Sequence, residues 1–228
     1  MLTAELVARL GRVKVADLSD GSRRLGTVAQ TSRPSLRPAA AYSKLIGTAV
    51  VVHNEIVAGD LDYGDQVAEL YDRGRSVPFA VVVQRNDVPE FTSIGSGGAR
   101  VARAHGYVGW ITNGAIRDTD ELRDSGFPVY GTTLVPHGRM VSQVDAGQSI
   151  RFEFDGTVEI AGMTVSPGDV VVGDNDGMIA IPPDRLEAIL AEAEAILVLE
   201  AAIFEQLDRG LTYRQILAAQ RAAGASGH

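Results

Sequence analysis

Ile94–Leu134 reads IGSGGARVARAHGYVGWITNGAIRDTDELRDSGFPVYGTTL, and this stretch decides both the fold class and where to look for chemistry. The glycine-rich turn Gly95–Gly98 leads into a helix predicted over Gly98–His105, followed by a buried strand over Tyr107–Thr112. Arg117 and Asp118 lie on the loop beyond, then a helix over Asp118–Asp124 and a strand over Pro128–Leu134. Such an order brings helix N-terminal amides, a guanidinium and a carboxylate to one place. The amides and the arginine suit an anionic substrate, while the carboxylate suits a divalent metal beside it.

The same alternation runs outward from this stretch. Leu45–Val52 reads as a strand buried on both faces, Asp62–Arg73 as a helix, and Val77–Val83 as a second apolar strand, which together make βαβ-like units. Upstream, leucines at 2, 6 and 10 mark a helix, and a second short helix is expected from Val15 to Gly26. After Pro136 the texture changes to short antiparallel strands, with Asp176-Gly177 as the turn of a hairpin. From Pro183 a long helix is predicted through Leu207, with Gly210 as its stop. The expected organisation is an α/β body over residues 1–182 and a helical arm over residues 183–228. Ile189, Leu190, Ile196, Leu197, Leu199 and Ile203 give the long helix too much apolar surface for a solvated arm, so it is expected to pack on a neighbouring subunit.

Composition bounds the chemistry further. A 228-residue chain that is 45% hydrophobic can build a full core. It contains no cysteine, which excludes thiolate nucleophiles and thiolate metal sites and leaves hard ions such as Mg²⁺ or Mn²⁺ as the natural metals. The net charge of −8, with scattered basic residues, argues against a nucleic-acid partner. No apolar run is long enough to span a membrane, and the charged amphipathic start does not read as a signal peptide, so a cytoplasmic location is expected.

Glycine and alanine at Gly95, Ala99, Ala102 and Gly106, followed by Asn113-Gly-Ala-Ile-Arg117-Asp118, Leu122 and Gly126-Phe-Pro-Val129, form a pattern. With Val165-Ser-Pro-Gly-Asp169 and Asp174-Asn-Asp-Gly177 downstream, the chain resembles the 4-hydroxy-4-methyl-2-oxoglutarate aldolases and the related regulators of ribonuclease E activity over roughly Asp17 to Gly210. The resemblance implies a swivelling β/β/α domain, assembled as a homotrimer or as a hexamer of two trimers, with active sites between subunits. It also implies Mg²⁺- or Mn²⁺-dependent cleavage of a short 2-oxo acid to pyruvate, or oxaloacetate decarboxylation. Carried onto this chain, Arg117 would grip the carboxylate and keto oxygen of pyruvate and Asp118 would ligate the metal. The backbone around Gly95, Ser96, Gly97 and Gly98 would hold the carboxylate, and Glu200 would act from a neighbouring subunit through a metal-bound water.

The chemistry is consistent with those roles, because retro-aldol cleavage and β-decarboxylation both leave an enolate that a cation and a guanidinium stabilise. Absence of lysine from Gly95–Leu134 disfavours a Schiff-base aldolase. Two departures from the family pattern stand out: Ser96 and Asn113 occupy positions where acidic residues are usual, and both remove negative charge from the expected metal site. They leave open a non-catalytic regulatory ring, or an enzyme of the same fold acting on a different oxo or sugar acid. Plainer readings also exist: Gly97-Gly98 as a packing device, Asp174 and Asp176 as turn residues, and His137 as a solvated loop side chain, the four histidines His53, His105, His137 and His228 forming no cluster in the sequence.

Overall fold

The computed structural model describes residues 1–27, 29–39, 44–136, 138, 144–222 and 224. Two helices, α1 (Ala4–Leu10) and α2 (Val15–Arg24), precede the short strands β1 (Gln30–Thr31) and β2 (Arg37–Pro38). The α/β body follows as β3 (Leu45–Ala58), α3 (Tyr63–Gly74), β4 (Ala80–Asn86), β5 (Thr92–Ile94), α4 (Ser96–Ala104), β6 (Tyr107–Thr112), β7 (Ala115–Ile116), α5 (Thr119–Ser125), β8 (Val129–Gly131) and β9 (Thr133–Leu134). Then come β10 (Gln148–Phe154), β11 (Val158–Ile160), β12 (Met163–Val165), β13 (Val170–Asp174) and β14 (Gly177–Ile181), and the chain closes with α6 (Leu186–Asp208) and α7 (Tyr213–Ala222).

The main sheet runs β1-β14-β13-β3-β4-β6-β8-β2, with β10 paired to the far half of β3. Its centre, β3-β4-β6-β8, is parallel, and β10, β13 and β14 are antiparallel to their neighbours. Because side chains alternate across a strand, β4 turns Ala80 and Val82 to one face and Val81 and Val83 to the other. On the first face they pack with Leu70, Ala99, Ala102, Leu122 and Phe127, beneath α3, α4 and α5. The second face is covered by Val158, Ile160, Met163 and Val165 of the β11-β12 hairpin. Small sheet, large sheet and helices form three layers, the β/β/α arrangement. Complete burial on both faces is why these strands read as unbroken runs of valine, each side chain contributing about 1.5–3 kcal/mol relative to exposure.

Several boundaries differ from the sequence expectation. β3 runs to Ala58 instead of Val52, because β10 supplies a partner for its polar far half, from Val52↔Phe154 to Ala58↔Gln148. β4 begins at Ala80 because Phe79 takes a left-handed backbone (φ 53°) after Pro78. Pro128–Leu134 is two strands in two different sheets. Tight pairing of Asp174 with Gly177 makes the expected hairpin, and Asp174 Oδ1 accepts from the Asp176 amide, so this carboxylate pair belongs to the turn.

The arm is also corrected in part. Ile189 and Leu190 are buried within their own chain, in a cluster with Leu10, Leu18, Val172 and Ile179, Leu197 packs at the edge of that cluster, and Ile196 is also buried. Arg9 adds a two-pronged ion pair to Glu194 at 2.8–2.9 Å. The apolar residues left exposed lie further along, at Val198, Leu199, Phe204 and Leu207. Among the described residues, no helix is long and apolar enough to cross a membrane.

A buried polar network joins the C-terminal ends of β4 and β6. Trp110 donates from Nε1 to Gln84 Oε1 (3.0 Å), and Gln84 donates to Asn86 Oδ1 (3.2 Å). Asn86 Nδ2 reaches both Ser93 Oγ (2.8 Å) and Thr112 Oγ1 (3.1 Å). Asn113 closes the network by accepting from the Asn86 amide at 2.7 Å and donating to its carbonyl at 2.9 Å. A neutral amide does both, whereas an ionised carboxylate has no proton for the carbonyl. Asn113→Asp is therefore expected to lower unfolding free energy by about 1–3 kcal/mol at pH 7, read by urea denaturation, without tightening Mg²⁺ binding. Unchanged stability with tighter Mg²⁺ binding would instead put this side chain at a cation site.

Candidate functional site

Three strands too short to show periodicity build the site. β5, β7 and β9 form a separate parallel sheet in which Ile94 is level with Ile116, and Ile116 with Leu134. The Arg117 amide continues the β5-β7 ladder to the Ile94 carbonyl at 3.1 Å. The chain thus leaves β5 into Gly95 and α4 directly beside the point where it leaves β7 into Arg117 and Asp118. This pairing unites segments more than twenty residues apart.

At that junction Asp118 adopts a left-handed conformation (φ 57°, ψ 43°), which aspartate tolerates better than most residues. The expected helix starts one residue later, with the Asp118 carbonyl accepting from Leu122. The bend carries the carboxylate back over the start of α4, where Oδ2 accepts from the Ser96 amide at 3.1 Å and from Ser96 Oγ at 3.3 Å. Arg117 Nε stands 3.4 Å from the same oxygen. Asp118 therefore caps α4 and fixes the base of the arginine in one contact.

Gly95 makes this closeness possible, since a Cβ there would stand 2.4 Å from Asp118 Oδ2 and 2.9 Å from Arg117 Cγ. Gly97 and Gly98 differ. A Cβ at Gly97 would meet nothing within 4 Å, and one at Gly98 would meet only ordinary contacts at 3.4–3.6 Å. Packing does not require glycine at either position, so the packing explanation fails for this pair. The first helical bond of α4 runs from the Ala99 amide to the Gly95 carbonyl, so the amides of Gly97 and Gly98 have no acceptor inside the helix. They point their partial positive charge out of the helix N-terminus.

These groups line a cleft of about 390 Å³. The cleft is lined by Arg117, Asp118, Gly95, Gly97 and Gly98, with Thr92 and Ser93 as its floor and Tyr63, Val67, Tyr71 and Val101 as its wall, which meets the glycine turn where Tyr71 donates its hydroxyl to the Gly98 carbonyl at 3.4 Å. Ser93 links the floor to the buried Asn86-Thr112 network. Tyr107 secures the wall by donating its hydroxyl to the Leu70 carbonyl of α3, with burial pushing that phenol above its ordinary range.

Arg117, Asp118, Gly95, Gly97 and Gly98 thus converge as the sequence suggested. Ser96 is a positioning residue for Asp118, with both its amide and its hydroxyl directed at that carboxylate. Asn113 is paired with the Asn86 backbone and does not line the cleft. Glu200 lies outside the cleft of its own chain and pairs with Lys14 at 3.2 Å. His53 lies within β3, paired with Asp87 at 2.8 Å, and His105 caps α4. His137 and His228 lie outside the described residues.

Among the described residues, no group of three or more histidine, aspartate or glutamate side chains is placed to hold a metal ion. One carboxylate, Asp118, lines the cleft. That donor set fits Mg²⁺, which keeps several waters and commonly binds through one or two carboxylates plus substrate oxygens. Sequence reasoning missed Ser93, Tyr63 and Tyr71, and Tyr71 and Ser93 belong to elements whose approach to the glycine turn is fixed only by the sheets.

Comparison with known proteins gives the family and the fold. A Thermus thermophilus protein whose name gives 4-hydroxy-4-methyl-2-oxoglutarate aldolase as an inferred activity is 32% identical over 89 residues, covering 39% of this chain and 50% of that protein. The chain spans about half the length, or less, of the curated relatives it matches. Among solved structures, an uncharacterized protein from Pseudomonas syringae pv. tomato superposes with a TM-score of 0.74 at 22% identity, over 94% of this chain and 97% of that one. Streptomyces coelicolor RraAS2, described as an unusual member of the RNase ES inhibitor RraA protein family, gives 0.70 at 22% identity, over 91% and 97%. At such identities these structures establish the fold alone. The family model described as Aldolase/RraA matches residues 15–180, which run from α2 into β14 and include the residues that line the cleft, and the chain belongs to this RraA-like family.

Proposed function

We propose that the cleft is the active site of a divalent-metal-dependent lyase that releases pyruvate from a short 2-oxo acid. The reaction is retro-aldol cleavage of a 4-hydroxy-2-oxo acid, decarboxylation of oxaloacetate, or both. The observation that carries the reading is that Arg117, Asp118 and the α4 N-terminus at Gly97 and Gly98 line one cleft, with Asp118 held on the Ser96 amide beside Arg117. Family membership and the aldolase-named relative support it.

In this reading the Gly97 and Gly98 amides take the substrate carboxylate, and the Arg117 guanidinium spans that carboxylate and the keto oxygen. A Mg²⁺ or Mn²⁺ ion held through Asp118 and substrate oxygens would supply further positive charge where the enolate develops. In decarboxylation the C3–C4 bond breaks, CO₂ departs, and the bonding pair passes through C3 and C2 toward the keto oxygen. Protonation at C3 from water completes pyruvate. In the retro-aldol case the same bond breaks and the C4 hydroxyl loses its proton as the second carbonyl forms. Arg117 is already anchored by Asp118, so its charge faces the developing oxyanion with little reorganisation.

The assay is oxaloacetate with Mg²⁺ or Mn²⁺, following pyruvate with lactate dehydrogenase. Turnover is expected to vanish with chelator and to fall by about a hundredfold or more in kcat/KM for Arg117→Ala and for Asp118→Asn. Turnover that survives all three removes the mechanism. A second reading, a non-catalytic regulatory ring, is favoured by the single cleft carboxylate and by the fold shared with the Streptomyces protein of the RNase ES inhibitor family. It predicts no metal-dependent turnover on any oxo acid and a protein partner instead.

We also propose that the helical arm beyond residue 196 packs on a neighbouring copy in a homotrimer or a pair of trimers, with Glu200 serving the next subunit's cleft through water, while the first half of α6 stays in its own core. The exposed Val198, Leu199 and Phe204 around Glu200 support this arrangement. Sedimentation velocity should give three or six chains, and Leu199→Asp with Phe204→Asp should shift the particle toward monomer. A monomeric wild-type protein would end the arm proposal while leaving the cleft as described.

A further inference from the structure

Gly98 is a helical residue that neither backbone geometry nor packing requires. Glycine is a poorer helix former than alanine, and it sits here in the first turn of α4. A Cβ at this position would meet Ile94 Cγ1 at 3.4 Å and the Tyr71 hydroxyl at 3.6 Å, both ordinary contact distances. Alanine would therefore fit and strengthen the helix. What alanine would remove is the open space beside the Tyr71 hydroxyl, on the surface of the cleft that both residues line.

Tyr71 comes from α3, and α4 holds it at two points. Its ring lies 5.4 Å from the His105 ring at a tilt of 32°, and His105 is itself tied through Nδ1 to the Val101 carbonyl at 3.0 Å. Its hydroxyl donates to the Gly98 carbonyl at 3.4 Å, longer than the roughly 2.5–3.0 Å of a well-made O–H···O bond. Within the α-helix that carbonyl is the acceptor for the amide four residues on, at Ala102. The hydroxyl bond is thus an addition to the helix ladder, and exchanging it leaves no carbonyl unpaired. Ring and helix together place a weakly engaged O–H donor at the glycine turn.

We propose that Tyr71 is a substrate-contacting residue of the cleft: its hydroxyl leaves the Gly98 carbonyl and donates to the carboxylate oxygen held at the α4 N-terminus, through the space that glycine keeps open at position 98. The proposal rests on the reading of the cleft as a carboxylate site and adds a neutral side-chain donor to the backbone amides and the Arg117 guanidinium. An O–H donating to an ionised oxygen makes a shorter and stronger bond than one to a carbonyl already engaged by the helix, so a bound carboxylate is the better acceptor.

Isothermal titration with pyruvate in the presence of Mg²⁺ reads this contact without turnover. Tyr71→Phe keeps the ring against His105 and removes only the hydroxyl, so it should weaken pyruvate by about tenfold with the melting temperature unchanged. Gly98→Ala should raise the melting temperature and yet weaken pyruvate, a combination that a purely structural glycine would not give. The double variant should bind no more weakly than the weaker single, because both changes remove the same contact. Wild-type affinity in Tyr71→Phe, a loss of affinity matched by a loss of melting temperature, or losses that add in the double variant overturns the assignment. Pyruvate binding that depends on Arg117 in Arg117→Ala but not on Tyr71 keeps the cleft and removes the contact, and no binding by the wild-type protein removes both. Pyruvate release from oxaloacetate is scored separately, so Tyr71-dependent binding without release keeps the contact and ends the lyase.

Discussion

Parallel pairing of β5 with β7 is the constraint on which the site depends. Two backbone ladders only two or three residues long hold Ile94 beside Ile116, and everything distinctive about the cleft lies one residue further along each strand. Such short strands would not persist alone. They are held because β5 leads into α4 and β7 follows β6, both of which are packed on the main sheet, and because the Asn86-Ser93-Thr112 hydrogen bonds clamp the small sheet to the ends of β4 and β6. The layered core therefore acts as a jig that sets the separation between the glycine turn and Arg117-Asp118.

Asp118 shows how one residue can serve structure and chemistry together. Its left-handed backbone costs of order 1 kcal/mol, which is offset by capping α4 through the Ser96 amide and hydroxyl and by the contact with Arg117. The same contacts hold the carboxylate at the mouth of a positive helix end and beside the arginine, the placement on which the proposed cation role rests. Ser96, which looks in the sequence like a lost carboxylate, supports the carboxylate that is present. Asn113, the other apparent loss, secures the floor.

The long helix α6 divides its surface between two tasks. Its first half completes the core with α1, α2, β13 and β14, and the Arg9-Glu194 pair fixes its angle. Its second half, beyond residue 196, carries exposed Val198, Leu199, Phe204 and Leu207. The family model ends at residue 180, ahead of this helix.

By itself the sequence determined the α/β alternation, the antiparallel second half, the hairpin at Asp176-Gly177 and the residues of the glycine turn and Arg117-Asp118. Each of these is written in local terms: runs of valine buried on both faces, turn chemistry, and a motif within one short stretch. It could not reveal β5, β7 and β9, because two or three residues carry no period, nor the division of Pro128–Leu134 between two sheets. Tertiary structure alone decided that Asn113 faces Asn86, that Ser96 serves Asp118, that Tyr63 and Tyr71 wall the cleft, and that the first half of α6 belongs to its own core. These are relations between side chains distant in sequence, and their geometry is set by sheet register and layer packing, which no local pattern encodes.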